Sequence, residues 1–210
     1  MGQIDWELNL LSLIPFHAKL DEVEPLIYEA SSAIHLGIGE SVVEAVWSMN
    51  FFEEITFTDI DEKKLGVLAG FLKKSFPKTQ LMTQIEPNDS DLRIEHVLRV
   101  LTDTRRSLGL RRLRTRFRTK RINLRPLDIL DLKGFNEKFD FAFFFGFTTA
   151  FEKALETGHS LLLPISNIKR LLKKSGIAIL SDFLPKEDVI VRLNDLGIER
   201  TGIYTFCIRG

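Results

Sequence analysis

The pattern of apolar and polar positions divides this chain into short buried segments separated by amphipathic ones. Six runs are short and mostly apolar, which is typical of strands in the middle of a sheet. These predicted strands cover residues 33–36, 55–58, 122–127, 139–145, 177–180 and 204–208. Other segments carry apolar residues three or four positions apart, as amphipathic helices do. These predicted helices cover residues 40–50, 61–76, 92–104, 151–158, 164–174 and 185–196.

Strands that alternate with helices along a chain favour an α/β fold, because parallel strands need a crossover connection between them. We therefore predict a doubly wound, mostly parallel sheet of six or seven strands with helices on both faces. The last predicted strand is a candidate for an antiparallel strand at an edge. A length of 210 residues favours a single domain over residues 1–210. Within it we distinguish a helical N-terminal segment, residues 1–30, and an irregular insertion, residues 77–121.

The most specific local chemistry lies where the first predicted strand ends. Gly37 and Gly39 form a sharp turn there, and glycine leaves no Cβ between the backbone and a ligand. Asp59 ends the next strand, at the spacing where a carboxylate accepts hydrogen bonds from ribose hydroxyls. Val42 stands where a dinucleotide-binding motif has its third glycine, which counts against NAD or FAD. The pattern predicts a nucleoside ligand; the alternative is a tight turn and a helix cap without any ligand.

The insertion contains a basic run, because nine of residues 105–121 are Arg or Lys. Alternating cations with an aromatic residue among them could follow a nucleic-acid backbone along one face of a strand. The cations that would bind RNA in this way are Arg111, Arg112, Arg114, Arg116 and Arg118. The alternative, which we favour in a chain of zero net charge, is an exposed insertion whose arginines pair with acids elsewhere.

The composition narrows the classes of protein further. The 44% of apolar residues, with 17 phenylalanines, can form a large buried core. A single cysteine, Cys207, rules out an internal disulfide and fits a reducing compartment, so we expect a cytoplasmic protein. Acids near residue 5 argue against a signal peptide. The longest apolar run, residues 141–147, is too short to cross a membrane.

Histidine and cysteine give no recognisable metal site or nucleophile. The four histidines, at positions 17, 35, 96 and 159, lack the spacing of metal ligands. His35, within the first strand, is expected to be a hydrogen-bonded core residue, and Cys207 to fill the core. Asp182 and His159 are candidates for a general base, but the sequence does not identify one.

Five short motifs, taken in order, resemble those of the class I S-adenosylmethionine-dependent methyltransferases over nearly the whole chain. They are the glycine strand at residues 34–39, Asp59, Asp128 after the third strand, Phe-Asp-Phe-Ala at 139–142, and Leu-Leu-Lys-Lys-Ser-Gly-Ile at 171–177. The resemblance implies a Rossmann-like domain that binds S-adenosylmethionine. It also implies cofactor contacts by Gly37, Gly39, Asp59, Asp128 and Phe145.

Within that superfamily, residues 52–59 and 72–74 are similar to the nicotinamide and phenylethanolamine N-methyltransferases. The chain departs from the family pattern at His35, where an acid is usual, and at Thr148 and Thr149, where an acid is expected after the fourth strand. The resemblance implies direct methyl transfer, and the compact domain and zero net charge favour a small-molecule substrate. Two alternatives stay open, an RNA methyltransferase that uses residues 111–121, and a methyltransferase-like binding protein without catalysis.

Overall fold

A computed structural model describes residues 22–27, 32–38, 47–88, 118–158, 160–182, 187–203 and 205–210. Several predictions fall on the other residues. Gly39, His159, the helix predicted at 92–104, most of the helix predicted at 40–50, most of the N-terminal segment and residues 105–117 of the basic run lie outside the described residues. The structure therefore tests the sheet and the helices that follow it.

The described residues form one sheet of eight strands, mostly parallel, which confirms the predicted α/β class. The strands are β1 Ser32–Leu36, β2 Glu54–Asp59, β3 Gln80–Met82, β4 Arg121–Pro126, β5 Phe139–Phe145, β6 Leu172–Ser181, β7 Glu199–Arg200 and β8 Thr205–Arg209. Their order across the sheet is β3-β4-β2-β1-β5-β6-β8-β7. The first six strands in this order pair in parallel with their neighbours. Strand β8 runs antiparallel to both of its neighbours, β6 and β7.

The sheet has eight strands rather than the predicted six or seven, because the sequence analysis missed the two shortest, β3 and β7. Strand β3 has three residues, lies within the supposedly irregular insertion, and carries no fully buried residue. Strand β7 has two exposed residues, and it displaces β8 from the edge position that we had expected. Neither strand has the apolar run that identifies a buried strand, because each lies at an edge of the sheet.

Four helices pack on the sheet within the described residues, in addition to a 3₁₀ turn at Glu24–Leu26. They are α1 Glu62–Ser75, α2 Phe147–Glu156, α3 Leu162–Leu171 and α4 Glu187–Asp195. Helix α1 begins as predicted, with Asp61 as its N-cap accepting from the Lys63 N–H at 2.9 Å. Helix α2 starts four residues earlier than predicted, because the left-handed Gly146 turns the chain from β5 directly into the helix.

The end of α3 also differs from the prediction of a helix over residues 164–174. The helix stops at Leu171, and Leu172 pairs with Phe139 as the first residue of β6. The register between β5 and β6 then shifts, so that Phe141 pairs with Ile177. A Cβ on Gly176 would come within 2.8 Å of the Phe139 carbonyl oxygen, so a glycine is required at this irregular start of the strand. Strand pairing here overrides the helical pattern of the sequence.

Alternation along the strands places a separate apolar cluster on each face of the sheet. One cluster includes Phe57, Phe141, Phe143 and Phe145 and packs against α1. The other contains residues of α2, α3 and α4 with the opposite face of β5 and β6. The rings of residues 141, 143 and 145 stack at 5.9 Å intervals along β5. The many phenylalanines therefore fill the middle of the domain, as their number predicts.

A polar cluster joins three strands at the amino end of the sheet. Asp140 Oδ2 accepts from the Ser32 N–H at 3.0 Å and from the Ser32 hydroxyl at 2.9 Å. Its other oxygen lies 2.9 Å from Lys173 Nζ. We expect Asp140→Ala to lower the free energy of unfolding by about 1–3 kcal/mol, because a half-buried N–H loses a charged acceptor. Urea unfolding monitored by circular dichroism measures this loss.

The matched control for Asp140 is Glu199→Gln, which breaks the exposed ion pair with Arg209 at 3.4 Å. Exposed pairs contribute about 0–1 kcal/mol, so this variant should be nearly as stable as the wild type. Equal losses in the two variants would show that the Asp140 cluster is no more important than a surface ion pair.

Candidate functional site

The carboxyl ends of the parallel strands enclose a cavity of about 570 Å³. Strand β1 lies between β2 and β5, so the order of strands along the chain reverses at β1. Ligands of open α/β sheets bind at such a reversal, outside the carboxyl ends of the strands. The volume lies within the range of small-molecule sites. The lining residues come from the ends of β1, β2, β4 and β5 and from helices α1 and α2.

Four of the five predicted site residues meet in this cavity, and the fifth, Gly39, lies outside the described residues. Gly37 follows β1, Asp59 ends β2, Asp128 follows β4, and Phe145 ends β5. They are separated by up to about a hundred residues in the sequence, and parallel pairing of the strands places them at one edge.

The Asp59 carboxylate is fixed by two backbone N–H groups. Its Oδ2 accepts from Ile38 in the glycine turn at 3.1 Å, and its Oδ1 accepts from Asp61 at 2.9 Å. The residue is only 6% exposed. An ionised carboxylate has about four lone-pair sites, so each oxygen can accept a further hydrogen bond from a ligand. Asp59 thus presents a rigid, charged pair of acceptors at the wall of the cavity.

Gly37 forms the part of the wall next to Asp59. Its φ of +70° lies in the left-handed region, which favours glycine. Among the described residues beyond its chain neighbours, a Cβ at this position would meet one atom within 4 Å, Phe144 Cε2 at 3.7 Å. The turn therefore gives a ligand access to the backbone between β1 and the residues that follow.

Asp128 and the loop that follows β4 form a further part of the cavity wall. Its Oδ1 accepts from the Leu130 N–H at 2.8 Å, and the Leu127 N–H donates to the Asp59 carbonyl at 3.1 Å. These bonds hold the loop after β4 against the end of β2. Ile60, which is 60% exposed, lines the cavity together with Leu130. Aliphatic side chains near a carboxylate in one cavity wall suit a ring that carries a hydrogen-bond donor.

Helix α2 forms the wall opposite Asp59, and its first turn is tied to β6. The Gly146 N–H donates to the Ser181 carbonyl at 2.9 Å. Both the N–H and the hydroxyl of Thr148 donate to Asp182 Oδ2, the former at 3.1 Å. The sequence has no acid directly after β5, which is the fourth of the predicted strands. A carboxylate that follows β6, that of Asp182, lies next to this position instead. Asp182, a candidate base in the sequence, lies beside the helix start.

Sequence reasoning missed several residues of the cavity wall. Ile60 and Leu130 follow Asp59 and Asp128 at strand ends, and this position is the signal that could have found them. Lys64 of α1 and Lys153 of α2 also line the cavity. Nothing in the local sequence distinguishes these two lysines from other lysines on helix surfaces.

His35 and Cys207 take no part in the cavity. His35 is 1% exposed and lies among the rings of Phe57, Phe143 and Phe145, with centroids 5.2–5.7 Å away. Its expected place in the core is confirmed. Burial raises the pKa of the Cys207 thiol, against a smaller lowering by Arg209, so the thiol is protonated at neutral pH. A protonated, buried thiol fills the core and is not a nucleophile.

The described ranges contain neither a metal-binding cluster nor a membrane-spanning helix. No group of three or more His, Cys, Asp or Glu residues among them could hold a metal ion. None of the helices in these ranges is both long and apolar enough to cross a bilayer.

The described end of the basic run lies away from the cavity. Lys120 and Arg121 pair with Glu53 and Glu54, at 3.1 and 3.7 Å. Arg121 begins β4, whereas Asp128 follows the carboxyl end of this six-residue strand. A strand rises about 3.3 Å per residue, so the two ends are roughly 17 Å apart. These cations therefore pair with acids at the amino end of the sheet.

No family model matches the chain, and no curated protein matches it. Among solved structures, similar folds occur in S-adenosylmethionine-dependent methyltransferases from Methanosarcina mazei and Mesorhizobium loti and in PKMT2 from Rickettsia typhi in complex with AdoHcy. Identities are 16%, 12% and 14%, and TM-scores are 0.39, 0.40 and 0.34. The matches cover 75%, 79% and 73% of this chain.

The chain spans only part of the length of these proteins, namely 55%, 53% and 21% of the three chains. At such low identities and TM-scores, the similarity carries no conclusion about activity.

Proposed function

We propose that this protein is a methyltransferase that binds S-adenosylmethionine and transfers its methyl group directly to a small molecule. The observation that supports this proposal is the meeting of Gly37, Asp59, Asp128 and Phe145 in one cavity at the reversal point of the sheet. Of the known nucleoside cofactors, this one needs no pyrophosphate site, which agrees with the missing third glycine at Val42.

The residues of the cavity fit the separate parts of this cofactor. Asp59 would accept from the two ribose hydroxyls, since each of its oxygens carries one backbone hydrogen bond and can accept another. The aliphatic side chains of Ile60 and Leu130 would contact the adenine ring, with Asp128 near its amino group. The open backbone at Gly37 and the end of β5 at Phe145 would border the remainder. The cofactor supplies a methyl group made electrophilic by its sulfonium.

The protein's own contribution to the reaction would be alignment and exclusion of water. Fixing two reactants at the right distance and angle replaces an encounter in solution, and this effect alone can account for a large part of a rate enhancement. The cavity wall is mostly apolar, and Asp59 is immobilised by backbone N–H groups on both oxygens. Such a wall holds the cofactor rigidly and keeps bulk water away from the transferred group.

A small-molecule acceptor agrees with the size of the cavity, about 570 Å³. Of the cations that could bind RNA, Arg118 alone lies within the described residues, where it is exposed. At the described end of the basic run, Lys120 and Arg121 pair with acids, as the alternative of an exposed insertion predicts. A single cysteine, which leaves no internal disulfide, agrees with a reducing compartment, and we propose a cytoplasmic location.

Calorimetric titration with S-adenosylhomocysteine tests the proposal, with NAD as the control ligand. Micromolar binding of the first ligand and none of the second would support it. Binding of NAD with similar affinity would point to a general nucleoside site. The absence of binding to either ligand would refute the proposed cofactor and favour a binding protein without catalysis.

A further inference from the structure

The loop after β4 contributes four consecutive residues, 127–130, to the cavity wall. Within it Asp128 is half-buried, and its Oδ1 accepts from the Leu130 N–H at 2.8 Å. Its Oδ2 accepts no hydrogen bond from any residue that the structure describes. A ligand in the cavity can therefore reach this carboxylate oxygen. The place of the oxygen depends on the conformation of the loop.

A buried side chain of helix α3 holds the middle of this loop. The loop is a tight turn, in which the Asp131 N–H donates to the Asp128 carbonyl at 3.0 Å. The carbonyl of Ile129, between them, accepts from Asn167 Nδ2 at 2.7 Å. Among the described residues, Asn167 is the one side chain from a helix or strand that hydrogen-bonds to residues 128–131. The position of the turn relative to the sheet therefore depends on Asn167.

Asn167 is an unusual residue for its place in α3. It is only 5% exposed, and the other buried residues of this helix are apolar, namely Pro164, Ile165, Ile168 and Leu171. Asparagine also forms helices less readily than leucine or alanine. Ile129 belongs to the same apolar cluster as the isoleucines of α3. At this position the helix therefore makes a hydrogen bond to the cavity loop in place of an apolar contact.

We propose that Asn167 is a positioning residue, which fixes the loop after β4 and thereby makes the cavity selective for a ring that carries an amino group. The inference rests on the proposed function, in which the ring is adenine and its amino group donates to Asp128. Such a bond forms only when the carboxylate oxygen is held at the right distance and angle. Without its donor, the Ile129 carbonyl turns toward another partner, and Asp128 moves with it. Asn167 does not line the cavity, so it acts through the loop alone.

Thr119 provides a matched control for Asn167. It is equally buried, at 5% exposed, and its hydroxyl lies 2.9 and 2.8 Å from the carbonyl oxygens of Met49 and Phe52. It does not line the cavity. Thr119→Val and Asn167→Leu each remove a buried donor to a backbone carbonyl, so both should melt about 2–8 °C below the wild type. Only Asn167→Leu should change the loop.

The first test needs no ligand and measures amide hydrogen exchange in the free protein by NMR. In Asn167→Leu the amides of Leu130 and Asp131 should exchange at least about tenfold faster relative to the amides of β5, because the turn opens locally. In Thr119→Val this ratio should equal that of the wild type. Equal ratios in the two variants would show that Asn167 does not hold the loop, and would overturn the inference.

The second test compares S-adenosylhomocysteine with an analogue that lacks the amino group of its adenine, by calorimetric titration. The wild type and Thr119→Val should bind S-adenosylhomocysteine at least about tenfold more tightly than the analogue, as expected for one hydrogen bond to a carboxylate. In Asn167→Leu this preference should fall below about threefold. An unchanged preference in Asn167→Leu would overturn the inference, and so would the absence of a preference in the wild type.

Two further provisions keep the outcomes distinct. If Asn167→Leu does not fold, Asn167→Ala replaces it, because alanine removes the same donor without adding bulk beside the loop. If the wild type binds neither ligand, the proposed function is refuted and the inference with it. If the wild type binds both ligands equally, the inference alone is refuted, and the nucleoside site stands without selection at the ring.

Discussion

Replacement of Asp59 by alanine should weaken the binding of S-adenosylhomocysteine about 100-fold or more. A hydrogen bond to a charged group contributes about 1.5–3 kcal/mol, and each 1.4 kcal/mol corresponds to a factor of ten in affinity. Two ribose hydroxyls on the two oxygens of Asp59 therefore account for a loss of this size. The variant also loses the acceptor for the Ile38 N–H, which fixes the glycine turn. Calorimetric titration of wild type and variant measures the change.

Asp61→Ala is the control for this variant. Asp61 lies two residues away and caps α1 through the Lys63 N–H, but it does not line the cavity. Loss of the cap should cost about 1 kcal/mol of stability without a change in ligand affinity. Equal affinities of Asp59→Ala and wild type would mean that the carboxylate only holds the turn, and the proposed cofactor site would have to be abandoned.

The sequence alone was enough to predict the middle of the sheet. The strand predicted at 139–145 has the bounds of β5, and β1, β2 and β4 begin within one residue of their predicted positions. Strands β1, β2 and β5 are buried on both faces, so their apolar runs are unambiguous. Strand β4 has three exposed residues, and its buried Ile122 and Leu124 alternate with polar ones. Asp59 and Asp128 could be brought together in advance because consecutive parallel strands end at the same edge. The core of the candidate site is therefore a consequence of topology.

The parts that could not be predicted depend on which strands become neighbours. Nothing in the local sequence says that the end of β6 lies against the start of α2, yet the contact between Asp182 and Thr148 requires it. The pairing of Ser181 with Thr205 likewise depends on the antiparallel return of β8. The irregular start of β6 at Leu172 has the sequence pattern of a helix end, because its lysines and its glycine are also typical there. Tertiary contacts decided these cases against local preference.

Gly37→Ala should weaken binding of S-adenosylhomocysteine at least about tenfold while the protein still folds. Alanine at a φ of +70° costs about 1–2 kcal/mol of stability. The added methyl group meets little of the described part of the protein, where Phe144 Cε2 at 3.7 Å is the nearest atom beyond the chain neighbours. It would stand in the wall of the cavity, where the nucleoside must approach the backbone. The loss of affinity then measures how closely the ligand packs on this turn.

The strain at Gly37 can be separated from its contact with the ligand by a second glycine. Gly197 follows α4 with a φ of +69° and does not line the cavity. Within the described ranges, and apart from its chain neighbours, no atom lies within 4 Å of a Cβ added there. Gly197→Ala should therefore lose a similar amount of stability in urea unfolding and keep its full affinity. If both variants bound the ligand as tightly as the wild type, the turn after β1 would not touch the ligand. In that case the glycine would serve the backbone alone, and the nucleoside would have to be held by Asp59 and the loop after β4 without the turn.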